Sequence, residues 1–331
     1  MYEVESSYFS VPSIEKSPAK YDDRIPELNN FYKKIAQEQL REDDSIREHS
    51  LQQMRDWIAK NPCIKKCRTD AAFLLRYLRS KKYCFNTSVE TLERSLVGRV
   101  LRPNWFKNLD VQDTELGALV ESGYLFPLME RDSQGRTLIF NDTAQLDPTK
   151  FTAGHVTRIH LLITESLYDM PEVQVGGLVM VYDVSGMTLA QLSLVSLNDI
   201  RLLAGYLNNG TPMRIQEFHF VNTPIATLTI ANFALQMLSE KLRERVFCHK
   251  NWDELYLKVD KNLLPKEFGG KTPKADSIAA FKQHCIKLRD KLNNNDLMNI
   301  EVSKDSKYWK ETHDTELESG AIGSFRQLVV D

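Results

Sequence analysis

The chain has 331 residues, of which 42% are hydrophobic and 27% charged, and its formal net charge is −2. This composition is typical of a globular protein with one large domain or two modest ones. The near-neutral balance excludes a general electrostatic attraction to nucleic acid or membranes, so any anion-binding surface must be a local patch. The amino terminus lacks the basic and apolar regions of a secretory signal, and no apolar stretch approaches the roughly 18 residues of a spanning helix. We therefore expect a cytoplasmic protein that binds no nucleic acid.

The first third of the chain predicts a disordered tail followed by a small helical lobe. Residues 1–30 are polar and carry three spaced prolines, which favours disorder. Residues 31–105 show helical periodicity, and Asp70 is a good N-cap for one of these helices. In that helix the apolar stripe leaves Arg76 and Arg79 at positions that we expect to be exposed.

The remainder of the chain predicts an α/β domain at 106–275 and a C-terminal helix with a charged tail at 276–331. Alternation of β-rich and helical runs is typical of a largely parallel sheet with covering helices. The predicted runs are a strand at 137–140, a helix at 152–169, a strand at 178–183, helical structure at 189–208, a strand at 218–221 and a helix from 224 to about 243.

No arrangement of residues predicts catalysis, a bound cofactor or a metal site. There is no GxSxG elbow and no HExxH motif, and the seven histidines are scattered. Gly270-Lys271-Thr272 looks like the end of a P-loop, but Pro265 stands where that loop needs a glycine. The five cysteines match neither a disulfide framework nor zinc-binding spacing. We expect a monomeric binding protein without enzymatic activity and without a cofactor.

Two distant segments together resemble the two ends of the CRAL-TRIO lipid-binding family. They are DAAFLLRYLRSKKY at 70–83 and LPKEFGG at 264–270. Between them, DPTKFT at 147–152, GLVMVYD at 177–183 and FHFVNTP at 218–224 follow in the order of the family. The match runs from about residue 48 to residue 271 and most resembles the branch of the α-tocopherol transfer protein and the retinaldehyde-binding protein.

The resemblance implies a helical amino-terminal lobe and a lipid-binding lobe whose mostly parallel sheet is covered by a mobile gate helix. One hydrophobic molecule would lie between the sheet and this helix. The predicted helix from Pro224 to Arg245 is apolar over so wide an arc that it must bury most of its circumference or face a ligand. An ordinary core helix is the alternative interpretation.

The helix at 152–169 supplies the candidate polar contacts to a ligand. His160 and Thr164 are four residues apart and share a helix face, which lines the cavity in relatives. We expect them to hydrogen-bond a hydroxyl or carbonyl group of an otherwise apolar ligand. A buried histidine that is satisfied by the backbone is the competing interpretation.

The strands and the gate helix supply the candidate apolar contacts. Alternate residues of a strand share a face, so the strand register decides whether Leu178, Met180 and Tyr182 face the cavity or Val179 and Val181 do. The resemblance favours the first set. The candidate ligand-binding residues are Phe140, Thr157, His160, Leu161, Thr164, Tyr168, Leu178, Met180, Tyr182, Ile225, Leu228, Phe233 and Met237.

The resemblance also implies a membrane-docking patch. Basic residues of α-tocopherol-transfer-like members contact a phosphoinositide headgroup, and the matching positions here are Lys81, Arg214, Lys241 and Arg245, whereas Gln216 replaces another arginine of the set. Clustered basic side chains bind phosphate through charge-assisted hydrogen bonds, and each contributes about 1 kcal/mol near an anionic leaflet. The alternative, cations stabilising a helix C-terminus, explains only the last two residues of the set.

The predicted function is a cytosolic carrier of a tocopherol-, retinoid- or other isoprenoid-like ligand, with transfer at phosphoinositide-containing membranes and transient peripheral association. One alternative is a phosphatidylinositol or phospholipid exchange protein. A phosphate-bearing headgroup would need more donors than the two polar groups expected in the cavity. The other alternative is a non-catalytic scaffold that uses the same fold and docks a partner through residues 1–26 and 300–331.

Overall fold

The computed structural model describes residues 6–223 and 228–309. In chain order the strands are β1 (Ile64–Lys66), β2 (Leu125–Arg131), β3 (Thr137–Asp142), β4 (Leu178–Asp183), β5 (Ile215–Val221), β6 (Val246–His249) and β7 (Asn299–Ile300). The helices are α1 (Asn30–Ile35), α2 (Asp44–Lys60), α3 (Ala71–Ser80), α4 (Phe85–Leu101), α5 (Pro103–Phe106), α6 (Thr114–Glu121), α7 (Ala153–Leu167), α8 (Pro171–Gly176), α9 (Leu189–Leu192), α10 (Leu197–Gly205), α11 (Leu228–Met237), α12 (Glu240–Arg243), α13 (Trp252–Tyr256) and α14 (Lys274–Asn295). In this part of the chain no helix is long and apolar enough to cross a membrane.

The predicted helical lobe consists of α1 to α4, with apolar residues of α2, α3 and α4 in one cluster. Asp70 caps α3 as predicted, since its carboxylate accepts a hydrogen bond from the N–H of Phe73 at 3.1 Å. A short antiparallel ladder closes the lobe by pairing β1 with β7, so that Ile64 lies opposite Ile300. Both halves of the chain therefore contribute to this lobe.

The second lobe is built on a five-stranded sheet in the order β2-β3-β4-β5-β6. β2 pairs with β3 antiparallel, and the other neighbours are parallel, which confirms the predicted α/β class. One sheet face carries Val179 and Val181 and packs against residues that follow β6, among them Leu255 and Leu264. The opposite face packs against α7 and α10 and contains the cavity described below.

The LPKEFGG motif forms a tight turn in the layer that covers the first sheet face. Gly269 has φ 86°, a conformation that favours glycine. A Cβ atom at Gly270 would collide with the carbonyl group of Leu264. The two glycines therefore allow the chain to fold back on itself before α14 begins.

The amino-terminal segment packs on the body, so the prediction of disorder for residues 1–30 is wrong for the part that the structure describes. Tyr8 is 5% exposed, and its hydroxyl donates to the carbonyl oxygen of Ser166 at 2.6 Å. Leu28 is buried against α1. The prediction failed because a few widely spaced residues hold this segment on the body, and the composition of the segment as a whole stays polar. Residues 1–5 lie outside the described residues.

A buried ion cluster joins the two lobes. Arg76, which we expected to be exposed, is 2% exposed and binds Glu165 at 2.9 Å and Asp169 at 2.6 Å. Arg79 is 1% exposed and binds Glu42 at 2.7 Å in a separate pair. The members of the ion cluster are Arg68, Asp70, Arg76, Arg99, Glu165, Asp169 and Lys291.

The predicted gate helix is divided rather than continuous. α11 ends at Met237, and α12 begins after Ser239, whose backbone is extended. Asn208 stabilises this break: its amide donates to the carbonyl oxygen of Met237 at 3.0 Å, and its side-chain oxygen accepts from the N–H of Ser239 at 2.8 Å. Residues 224–227, where the helix was predicted to begin, lie outside the described residues.

Candidate ligand-binding cavity

An apolar cavity of about 350 Å³ lies between the sheet and the helices α10 and α11. The sheet wall consists of Tyr182, Phe218, Phe220, Val246 and Cys248. The helical wall consists of Ile200, Leu203, Ala204, Leu207, Ala234, Leu235 and Leu238. His160, Val184, Met187, Leu192 and Thr223 complete the lining.

The register of the parallel strands explains why these side chains meet. Tyr182 lies beside Phe220, and Phe220 lies beside Cys248 on the next strand. Because side chains in register point to the same side of a sheet, the three form one row across the cavity floor. The rings of Tyr182 and Phe220 stack with centroids 5.0 Å apart.

The structure brings two of the predicted residues, His160 and Tyr182, to the cavity wall. Leu178 and Met180 share the sheet face of Tyr182, as the resemblance favoured, but they pack into the core beside the cavity.

The register also shows that Phe140 was placed on the wrong sheet face. Phe140 pairs with Val181 and not with Tyr182. Its ring packs against Phe268 with centroids 4.7 Å apart, on the side of the sheet that faces away from the cavity.

The other predicted residues of α7 and the adjoining Tyr168 contact the protein itself rather than line the cavity. The hydroxyl of Thr164 donates to the carbonyl oxygen of His160 at 2.9 Å, so it is not available to a ligand in the way we expected. Thr157 likewise donates to Ala153, and Leu161 is buried in the core. The hydroxyl of Tyr168 is 3.0 Å from that of Thr211.

On the gate segment, the cavity residues come from one of its apolar stripes. Leu235 and Leu238 line the cavity, whereas the predicted Phe233 and Met237 are not among its lining residues. Ile225 and the side chain of Leu228 lie outside the described residues. The prediction drew residues from two apolar stripes of the gate segment, and Phe233 and Met237 belong to the stripe that does not line the cavity.

His160 forms the polar centre of the cavity together with Tyr182. Its Nδ1 is 2.7 Å from the carbonyl oxygen of Val156 on the same helix, and its Nε2 is 3.4 Å from the Tyr182 hydroxyl. The two rings stack with a 6.3 Å centroid separation, and Tyr124 contacts the imidazole edge-on. The competing interpretation, a histidine satisfied by the backbone, therefore accounts for one of its two nitrogens.

Burial fixes the charge state of this group. It lowers the pKa of His160 below the usual 6.5, with the bond to Val156 opposing the shift. It raises the pKa of Tyr124 to about 12 and that of Tyr182 further. All three side chains are therefore neutral at physiological pH.

Sequence reasoning missed most of the cavity wall, although part of the signal was present. Phe218 and Phe220 alternate on β5, which indicates one sheet face. The apolar residues of α10 recur at helical spacing, but nothing in the sequence shows that this helix covers a cavity. Thr223 was also missed, and its buried hydroxyl has no hydrogen-bond partner among the described residues.

The predicted basic patch is a cluster in space. Burial, and then the positive charges of Arg245, Lys82 and Arg214, lower the pKa of Lys241. Burial and then Lys241 lower the pKa of Lys81, and burial together with Arg245 lowers the pKa of Arg214 to about 10.

Two members of the patch are anchored through backbone contacts. The guanidinium of Arg214 donates to the carbonyl oxygen of Val175 and to the side chain of Gln39. Arg245 donates to the carbonyl oxygen of Ile215. These acceptors carry no negative charge, so they do not neutralise the patch.

A polar cleft of about 270 Å³ opens beside this patch, between the two lobes. Lys81 and Lys82 enter it from the end of α3, and Lys241 enters from α12. Asn208, which stabilises the break before α12, also lines the cleft. The cleft and the gate segment are therefore in direct contact.

The fold and the cavity define an α/β binding protein for an apolar molecule, and comparison with known proteins gives its family. A model of the CRAL/TRIO domain matches residues 121–270. Clavesin-2 of Mus musculus is 31% identical over 239 residues, which cover 72% of this chain and 73% of that protein. Clavesin-1 of Pongo abelii is also 31% identical, over 72% of this chain and 68% of that protein.

The chain belongs to the CRAL-TRIO family, as its motifs predicted. This is a family of lipid-binding and lipid-transfer proteins, so lipid binding is the class of function. A solved structure of Sfh5 aligns with 89% of this chain and 100% of that one, at 13% identity and a TM-score of 0.44, a likeness too distant to add to the assignment.

Proposed function

We propose that the protein is a non-enzymatic carrier that holds one isoprenoid-like molecule, such as a tocopherol or a retinoid, in the apolar cavity. The observation that supports this proposal most is the lining itself. Apart from His160, Tyr182, Thr223 and Cys248, the side chains around the cavity are hydrocarbon or thioether groups. A largely apolar lining with a few polar groups suits an apolar ligand with one oxygen function.

The cavity is less suited to a phospholipid. A phosphate group requires several charge-assisted donors, and the polar groups here are neutral. Two cationic side chains of the patch, Lys81 and Lys241, line the separate polar cleft.

We further propose that the basic patch docks the carrier on phosphoinositide-containing membranes. The support is the mutual proximity of Lys81, Arg214, Lys241 and Arg245. After burial, which is the largest cause, neighbouring cations lower the pKa values of Lys81, Arg214 and Lys241, and a polyanionic headgroup would relieve this repulsion. Because Asn208 contacts both the cleft and the gate segment, headgroup binding would couple to opening of the cavity.

The cargo can be identified by mass spectrometry of organic extracts from protein purified from a eukaryotic host, with the stoichiometry measured. A near-stoichiometric isoprenoid supports the carrier proposal. A near-stoichiometric phospholipid would refute it in favour of phospholipid exchange. Protein that carries no lipid and takes up none from vesicles would favour the scaffold alternative.

Docking can be tested by sedimentation with vesicles that contain or lack a phosphoinositide. We expect Lys241→Ala to reduce the phosphoinositide-dependent binding by about fivefold, because one basic residue contributes about 1 kcal/mol. Arg243→Ala is the matched control: it removes the same charge from the same helix at a position outside the patch. Equal losses in the two variants would contradict a specific headgroup contact.

A further inference from the structure

The hydrogen-bond geometry of His160 determines which of its nitrogens can serve a ligand. Nδ1 lies 2.7 Å from the carbonyl oxygen of Val156. A carbonyl oxygen can only accept, so the proton must be on Nδ1. The neutral ring therefore presents the lone pair of Nε2 as an acceptor toward Tyr182 and the cavity.

Tyr182 supplies the complementary donor but does not fully use this acceptor. Its hydroxyl is 3.4 Å from Nε2, which is longer than the roughly 2.7–3.2 Å of a good hydrogen bond. The described titratable side chains that face the imidazole are this phenol and that of Tyr124, both neutral. Nε2 of His160 and the hydroxyl of Tyr182 thus lie side by side as an acceptor and a donor. Each can form a shorter hydrogen bond to an oxygen function of a ligand.

We infer that the cavity selects a cargo with an un-ionised hydroxyl group, and that His160 and Tyr182 are the specificity-determining pair. The cargo O–H donates to Nε2 of His160, and the cargo oxygen accepts from the Tyr182 hydroxyl. This inference rests on the proposed carrier function, and it adds the chemical class of the cargo.

Other oxygen functions fit the pair less well. An aldehyde or ketone can accept from Tyr182 but leaves Nε2 without a donor, and an unsatisfied buried acceptor weakens binding by about ten- to a hundredfold. A carboxylate places its own lone pairs against that of Nε2 and buries an unpaired charge, which is less favourable still. A hydrocarbon satisfies neither group.

Retinol, retinaldehyde and retinoate share one carbon skeleton and differ only in this function, so they are suitable probes. Each is equilibrated between vesicles and delipidated full-length protein, and the bound fraction is extracted and quantified. We expect retinol to bind at least tenfold more tightly than retinaldehyde, and retinoate to bind most weakly.

Two ring-conserving variants separate the roles of the pair. His160→Phe removes the acceptor and should weaken retinol about tenfold, whereas retinaldehyde should bind at least as tightly as before, because no acceptor is then left without a donor. Tyr182→Phe removes the donor and should weaken both. Thr164→Val is the matched control, because this hydroxyl is bonded within its own helix; the preference for retinol should persist.

Binding of all three probes without preference, or an equal loss of retinol and retinaldehyde in His160→Phe, would overturn this inference and leave the carrier proposal standing. Failure of the unsubstituted protein to bind any of the three would overturn the retinoid-type carrier proposal, and the inference with it.

Discussion

Replacing Asp169 with asparagine should destabilise the protein strongly, because this carboxylate holds three cationic side chains in a buried position. Arg68 Nη2 is 2.8 Å from it, Arg76 Nε is 2.6 Å and Lys291 Nζ is 2.7 Å. Burial alone would raise the pKa of Asp169, but these cations outweigh it and hold the pKa well below the usual 3.8. The carboxylate is therefore ionised throughout the neutral range.

The expected loss follows from the charges that remain. The ion cluster contains four cationic and three anionic side chains, and the substitution leaves only two anions for the four cations. Removal of one partner from a buried ion pair costs about 3–5 kcal/mol, so we expect a loss near 4 kcal/mol. The free energy of unfolding is measured by urea titration with circular dichroism.

An exposed pair provides the control for this measurement. Glu27 binds Lys33 at 2.5 Å on the surface, where such pairs contribute about 0–1 kcal/mol. Glu27→Gln should therefore change the free energy of unfolding only slightly. A loss below about 1 kcal/mol in Asp169→Asn would show that the buried carboxylate does not hold the lobes together.

Three further predictions follow from the cavity, the gate segment and the buried histidines. Leu235→Trp should fill the cavity and reduce lipid uptake from vesicles, whereas Gln236→Trp, on the exposed side of α11, should leave uptake intact. Asn208→Ala removes both bonds that stabilise the break between α11 and α12, so amide hydrogen exchange in α11 and α12 should become faster while exchange in β4 stays slow; unchanged rates would contradict the role of this side chain. Burial lowers the pKa values of His160 and His219 below 6.5, so the unfolded chain takes up protons first as the pH falls. Stability should be full above about pH 6.5 and decline below it, and a flat urea midpoint between about pH 7.5 and pH 5.5 would contradict this assignment.

Local patterns predicted much of the fold because they depend on short-range chemistry. The β4 strand was predicted at its observed bounds, since five apolar or β-favouring residues follow a glycine and precede Asp183. Asp70 was predicted as a cap because its side chain needs only the N–H groups of the next turn. The alternation of strands and helices was also predicted, because the spacing of apolar residues along the chain differs between the two kinds of element.

Two of the errors, at Arg76 and Phe140, concern residues whose environment is set by distant partners. Arg76 looked exposed because its carboxylates, Glu165 and Asp169, come from a part of the chain about ninety residues away. Phe140 was placed on the wrong sheet face because register cannot be deduced from one strand alone. Thr164 was expected to serve a ligand, yet a threonine within a helix can satisfy its own hydroxyl at the preceding turn.

The pairing of β1 with β7 has a consequence for biosynthesis. The partner of Ile64 is Ile300, which leaves the ribosome only after the sheet and the gate segment have been made. The helical lobe is thus completed only after the sheet of the second lobe, and the edge of β1 remains unpaired until β7 has been made. Since open edges pair readily with other chains, β1 can form incorrect pairings until β7 has been made.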